Sequence, residues 1–286
     1  MSGQLPLSLS NCRILIVGLG LMGASLALAL RGKCKALYGV DQNEDTCRLA
    51  LMHEVVEAVW QDATQTRAVD MIILAVPVGQ ILRLLDRLNA AVQTPTVIMD
   101  IGSTKKVICQ KMEGLAEHFD PIGGHPMCGK ETLGIQSAEA AIYQGAPFAL
   151  VPLARTSSYA KSLAEQMVIA IGSRIVWLDA ETHDRMVAAV SHLPYLIASA
   201  LTLGTPLELT SLIGPGFRSS TRLAATPTSM MLDVLKTNRL FILEAIERVE
   251  DELSQLKTCL TQEAYEELNQ RLNVAAEHLQ KILQKG

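Results

Sequence analysis

The chain has 286 residues, enough for two domains, and 49% of them are hydrophobic against 19% charged. Its formal charge is −4 and no basic stripe occurs, so nucleic acid is excluded as an expected partner. Cys12, Cys34, Cys47, Cys109, Cys128 and Cys259 show no Cys-x-x-Cys spacing, and Met1 to Asn11 lack a cationic start, so a cytoplasmic protein without a disulfide frame or metal site is expected.

Ile14 to Val17 are consecutive aliphatic residues without alternation, the pattern of a strand buried on both faces of a parallel sheet. Gly18-Leu19-Gly20-Leu21-Met22-Gly23 follows at once, and Ala24, Ala27, Leu28 and Leu30 continue at helical spacing. In such a loop the first glycine permits a tight turn, the second admits a pyrophosphate close to the backbone, and the third lets helix and strand pack. The helix N-terminus adds free N–H groups, so Gly18 to Gly23 reads as a dinucleotide-binding loop. Ala36 to Asp41 reads as the second strand, with Asp41 lying 23 residues past Gly18. An acid there takes the adenosine ribose hydroxyls and repels a 2′-phosphate, which favours NAD; Arg48 nearby leaves NADP open. If Asp41 has that role, Asn43 or Asp45 is left to cap the next helix.

Asp70 to Pro77 is an apolar strand whose end, Val76-Pro77, joins the expected cofactor site, and Ile81, Leu82, Leu85 and Leu88 form a helical stripe. Thr96 to Asp100 is a strand opening into Ile101 to Lys105, a loop expected to cap the following helix. Phe119 to Gly124, Phe148 to Pro152 and Arg174 to Leu178 supply further strands. The alternation implies an α/β fold, with a Rossmann-type parallel sheet domain over residues 1–179 and ligands at the carboxyl ends of its strands. Ser103 and His125 are the polar loop residues at that edge. His125 follows Gly123-Gly124 and precedes Pro126, and imidazole, with a reference pKa of about 6.5, suits a general base.

Past Asp179 no strand signal follows, and an all-helical domain over residues 180–286 is expected. Asp179 is placed to N-cap a helix running to about Leu203, with Glu181 in its first turn. Pro194 should kink that helix by removing the bond to the Val190 carbonyl, aiming His192 into a cleft. No apolar run exceeds strand length unbroken, so no membrane span is expected. Arg218 and Arg222, in a loop opened by Gly216, suit bidentate pairing with substrate carboxylates. Leu235 to Leu260 and Leu268 to Ile282 then carry three-four apolar stripes broken near Thr261. An antiparallel hairpin within one chain satisfies these stripes, but their length favours a homodimer built through them.

Together GLGLMGASLA, DIGSTK, GGHPM, HDRMVAAVSHLP and GFRSSTR, in this order, resemble the prephenate/arogenate (cyclohexadienyl) dehydrogenases of tyrosine biosynthesis. The resemblance spans Arg13 to about Asn238, and its last four motifs are the specific ones. It implies NAD(P)-linked oxidative decarboxylation of a small cyclohexadienyl substrate. By the same resemblance His125 accepts the ring hydroxyl, Ser103 orients it, and Arg222 binds a substrate carboxylate. His192 and Glu131 line the substrate pocket, and Asp184, in the family's His-Asp pair, holds that pocket together. The chain departs from the pattern at Ser219, where many members carry Asp, and at Lys130, where threonine is common. A β-hydroxyacid dehydrogenase is the enzymatic rival, but Lys236 and Asn238 lack the four-residue spacing its catalytic pair needs. A dinucleotide-sensing dimer without turnover is the other.

Overall fold

The structure is a computed structural model describing residues 8–65, 68–130 and 132–285. Its first elements are β1 (Arg13–Val17), α1 (Leu21–Leu30), β2 (Ala36–Val40), α2 (Glu44–Met52) and β3 (Ala58–Trp60). Next come β4 (Met71–Leu74), α3 (Val78–Ala91), β5 (Thr96–Asp100), α4 (Lys106–Glu113) and β6 (Phe119–Pro126). β7 (Pro147–Pro152), α5 (Ser158–Ala170) and β8 (Arg174–Trp177) complete one eight-stranded sheet in the order β3-β2-β1-β4-β5-β6-β7-β8. The strands read as unbroken apolar runs because helices cover both faces. Ile14 and Ile16 face one core, shared with α1 and α5, while Leu15 and Val17 face the other, shared with α3 and α4.

β1 to β6 are parallel, so their carboxyl ends share one edge, and the strand order reverses between β1 and β4. That reversal opens the crevice where dinucleotide folds bind their ligand. The sheet is not parallel throughout: β7 runs antiparallel to β6. Among the described residues between them there is no crossover α-helix, only 3-10 turns at Ile135–Ser137 and Ala140–Tyr143 laid against the start of α1. The Tyr143 hydroxyl donates to the Met22 carbonyl at 2.9 Å, and the Glu139 N–H donates to Ser25 Oγ at 3.0 Å. The segment therefore re-enters from the edge it left, and only an antiparallel ladder can form.

Then follow α6 (Ala180–Val187), α7 (Leu193–Leu203), α8 (Pro215–Thr221), α9 (Thr228–Thr237), α10 (Arg239–Thr261) and α11 (Tyr265–Lys285). Asp179 caps α6, its Oδ1 accepting the Thr182 N–H at 2.9 Å. The interruption at Pro194 takes the form of a π-helical turn, Ala188–His192, a wider turn that accommodates the missing N–H. By length and composition alone, Ala180–Leu203 is long and apolar enough to cross a membrane. It is continuous across the π turn, and His183, Asp184, Arg185, Ser191 and His192 keep its apolar residues from forming one unbroken run. It also carries His183, Asp184 and His192, all buried and all hydrogen-bonded within the protein.

The chain divides into two compact units, residues 1–238 and 239–286. Helices α6 to α9 lie in the first: Asp233 Oδ2 accepts the Gly79 N–H at 3.0 Å, and Thr237 Oγ1 lies 2.9 Å from Thr104 Oγ1. The second is the α10–α11 pair, turned at Glu263 with a left-handed φ of 55° and tied by Arg271 to Glu252 at 3.6 Å. Its apolar stripe stays open, with Leu253, Leu272, Leu279 and Ile282 each more than half exposed.

Candidate active site

At the end of β1, Gly18 adopts φ +96° and donates its N–H to the Val40 carbonyl at 2.7 Å. A Cβ there would lie 2.5 Å from the Ala75 carbonyl, and one at Gly23 would lie 1.8 Å from the Gly18 carbonyl, so both positions demand glycine. At Gly20, the N-cap of α1, a Cβ would meet nothing within 4 Å. The open space lies beside the unsatisfied N–H groups of the first helical turn, a cradle that fits a pyrophosphate. Leu21 and Met22 begin that turn, while the Leu19 side chain is buried against Gly39. Val76 packs against Gly18, and Pro77 caps α3.

Asp41 follows β2 and is half-buried. Its Oδ2 accepts the Leu19 N–H at 2.9 Å and its Oδ1 the Asn43 N–H at 2.9 Å, so the carboxylate braces the glycine loop. Capping of α2 is done by Asn43, whose Oδ1 accepts the Thr46 N–H at 2.8 Å. Arg48 turns to Asp45 at 3.0 Å.

His125 lies near the carboxyl end of β6 and is half-buried. Its Nδ1 is 2.9 Å from His183 Nε2, and His183 Nδ1 is 2.8 Å from Asp184 Oδ1. Burial, followed by the nearby His183, Lys105 and His192, holds the His125 imidazole well below its usual pKa. Asp184 is itself buried and accepts two main-chain N–H groups, from Lys105 at 2.7 Å and from Lys106 at 2.9 Å. The cap of α4 thus comes from α6 and not, as the sequence suggests, from the Ile101–Lys105 loop. The N-cap residue is a lysine, which has no acceptor to offer, and a carboxylate at the positive end of α4 supplies one.

Lys105 is fully buried. Its ammonium donates to Asp100 Oδ2 and, at 2.7 Å, to the carbonyl of Gly124, the residue before His125. Asp100 Oδ2 also accepts the Gly102 N–H at 2.8 Å, and burial pushes this carboxyl up against the pull of the lysine. His192 is buried, and burial outweighs the attraction of Asp184 to bring its pKa down to about 4. Its Nδ1 lies 3.1 Å from Asn238 Nδ2, which also donates to the Asp184 carbonyl at 2.7 Å.

The family model of the prephenate dehydrogenase nucleotide-binding domain matches residues 26–177, and that of the prephenate dehydrogenase dimerization domain matches residues 179–274. The chain belongs to the prephenate dehydrogenase family. The cyclohexadienyl dehydrogenase of Zymomonas mobilis is 30% identical over 264 residues, covering 86% of this chain and 88% of that relative. The prephenate dehydrogenase of A. aeolicus, solved with hydroxyphenyl propionate and NAD+, superposes with a TM-score of 0.89 at 28% identity, over 96% of this chain and 99% of that one. Synechocystis arogenate dehydrogenase superposes with a TM-score of 0.82, also at 28% identity, over 94% and 99% of the two chains.

Within this family member, the residues singled out in the sequence are not all placed alike. Ser103 is half-buried and does not bond the His125 ring; His183 does. Arg218 and Arg222 are exposed and sit on helical structure: Gly214 in extended conformation and Pro215 at the first helical position start α8, and Arg222 opens the 3-10 turn Arg222–Ala225. The expected loop around Gly216 is thus helix. Asp184 spends its carboxylate on two main-chain N–H groups and His183, inside the protein. Lys130 pairs with Glu139 at 2.7 Å, while Glu131 lies outside the described residues. All six cysteines are free thiols. The buried Lys105–Asp100 pair, His183 as the partner of His125, and Asn238 were not foreseen from the sequence as site residues. A lysine five residues past an acid at a strand end was the available signal for the first; Asn238 had none.

Proposed function

We propose that His125 takes the proton of the substrate's ring hydroxyl, and that the chain acts on prephenate, L-arogenate or both. The observation that carries this reading is the chain of contacts from His125 through His183 to Asp184, at the carboxyl edge of the sheet that bears the glycine loop. As a member of its family the chain is an NAD(P)-linked oxidoreductase of tyrosine biosynthesis that performs an oxidative decarboxylation. In that reaction a hydride leaves the hydroxyl-bearing carbon, CO2 leaves the opposite carbon, and the ring becomes aromatic.

When bound, the dinucleotide supplies the hydride acceptor. The N-terminus of α1 and Gly18 to Gly23 hold its pyrophosphate, and Asp41 takes the ribose hydroxyls with the lone pairs its two main-chain bonds leave over. That arrangement favours NAD over NADP. Val76, Pro77 and Ser103 flank the nicotinamide.

His125 receives the hydroxyl proton as the carbinol becomes a carbonyl, and returns it to the phenolate oxygen once CO2 has left. An imidazole held below its usual pKa is neutral at pH 7 and ready to accept. Arg222 and Arg218 bind substrate carboxylates, and His192 and Glu131 shape the pocket. Asp184 supports it from beneath. In this division of labour residues 1–179 hold the nucleotide, and residues 180–286 hold substrate and join two copies through the C-terminal helices. The six free thiols fit a cytoplasmic setting.

The test is steady-state kinetics with prephenate and with L-arogenate, following reduced cofactor and the aromatic product together. Turnover of at least one is expected. Turnover of neither, with reduction of cofactor by simple 3-hydroxy acids, overturns the reading.

A further inference from the structure

We propose that His183 is a positioning residue that fixes the tautomer of His125, holding its proton on Nδ1 and leaving Nε2 as the lone pair that meets the substrate. The inference rests on the reading of His125 as the proton acceptor, and its ground is a run of donors and acceptors with one consistent direction. Asp184 is engaged as an acceptor on both oxygens by the main-chain N–H groups of Lys105 and Lys106. Its Oδ1, 2.8 Å from His183 Nδ1, has no hydrogen to give, so the proton in that contact belongs to His183. In the proposed arrangement His183 Nε2, on the far side of the ring from that proton, accepts from His125 Nδ1 at 2.9 Å.

The rings stand nearly edge to face, with centroids 5.1 Å apart and planes at 64°, which points a nitrogen of one ring at a nitrogen of the other. His183 is 1% exposed, so water does not compete for its Nε2. The other charged or titratable groups facing His125 are Lys105, from the loop before α4, and His192, from the π turn. Lys105 is occupied by Asp100 and the Gly124 carbonyl, and His192 by Asn238. No other side chain among the described residues holds the His125 ring. A free imidazole in water exchanges between tautomers, and the form with Nε2–H has no lone pair for the substrate. His183 removes that form.

The arrangement is tested with His183→Phe, which keeps a ring without an acceptor, and His183→Gln, whose Oε1 reaches toward the same place. Histidine side chains labelled with 15N report the His125 tautomer directly at neutral pH, without turnover. The expected result is Nδ1–H in the unaltered protein and in His183→Gln, with a shift toward Nε2–H in His183→Phe. The kcat of His183→Phe should fall roughly tenfold or more, part of the 10²–10⁴ that a general base is worth, with KM for substrate and cofactor within about twofold. His183→Gln should recover most of the loss. Nε2–H in the unaltered protein, a tautomer indifferent to His183→Phe, or His183 carrying protons on both nitrogens overturns the proposal. His125→Asn run in parallel separates the two ideas: normal turnover there defeats the base assignment, while the tautomer measurement still decides what His183 does.

Discussion

Asp184 follows Lys105 by 79 residues in sequence, yet its Oδ1 accepts the Lys105 main-chain N–H at 2.7 Å. One carboxylate from the first helix after the sheet therefore caps the helix that follows β5. The same oxygen orients His183, and through it His125. Capping, ring orientation and the position of the Ser103–Lys105 loop share a single group. The nucleotide-side loop and the helix facing it cannot move independently without breaking that carboxylate's bonds.

Asp184→Asn should accordingly damage stability and activity together. An amide keeps one acceptor and replaces the other with a donor that faces an N–H. Leaving buried donors unpaired costs about 1–3 kcal/mol, and more where a charge is lost. Urea unfolding should show that loss with an unchanged slope. The kcat should fall by at least as much as in His183→Phe, because the His183 tautomer is no longer dictated.

His125→Asn should lower kcat by roughly 10²–10⁴, the usual contribution of one general base. Cofactor affinity should hold, since no glycine-loop residue touches this ring. Fluorescence titration with reduced dinucleotide alongside steady-state kinetics separates the two effects, and near-normal kcat would sink the assignment.

Much of this was legible in the sequence for identifiable reasons. The aliphatic run at Ile14 to Val17 and Gly18, Gly20 and Gly23 report backbone constraints that are local, so β1, the turn and α1 fall where periodicity puts them. Asp179 as a cap is equally local. Ala58–Trp60 left no strand signal because it is a short edge strand with every residue half-exposed. The antiparallel β6–β7 ladder depends on where residues 127–146 run, which strand patterns do not encode. The partner of His125 was hidden for the same reason, since His183 lies 58 residues away and meets it only through the packing of α6.

Asp41 predicts cofactor choice. Both its oxygens accept main-chain N–H groups, which fixes it in place, and on the proposed reading its negative charge meets a 2′-phosphate. The kcat/KM with NAD should exceed that with NADP. Asp41→Asn should narrow the ratio mainly by raising the NAD value of KM, with NADP gaining. A strong NADP preference in the unaltered enzyme would contradict this role.

The second compact unit exposes Leu279 by 56% and Ile282 by 57%, on a helix with no buried residue among those described. Such a stripe fits an interface between copies, and residues 179–274, which include the start of this helix, match the family model of a dimerization domain. Sedimentation at micromolar concentration should give a dimer. The pair Leu279→Glu and Ile282→Glu should shift the protein to monomer while the sheet's far-ultraviolet signal persists. A monomer in the unaltered protein excludes the interface.

Acid should destabilise the protein through His192. Its pKa is about 4 folded, against a reference of 6.5 when unfolded, so between these values the unfolded chain binds more protons. The stability contributed by the neutral ring is whole above pH 6.5 and is lost as pH falls from there toward 4. With His192 buried, the loss amounts to about 3 kcal/mol on the scale of 1.36 kcal/mol per pKa unit. Protonation would also set Nδ1–H against the Asn238 amide 3.1 Å away. His125 is shifted the same way and adds to the slope. His192→Gln should flatten the dependence of urea-unfolding stability on pH over this window, even if it lowers stability at pH 7. An unchanged slope would mean that His192 is already charged in the folded protein.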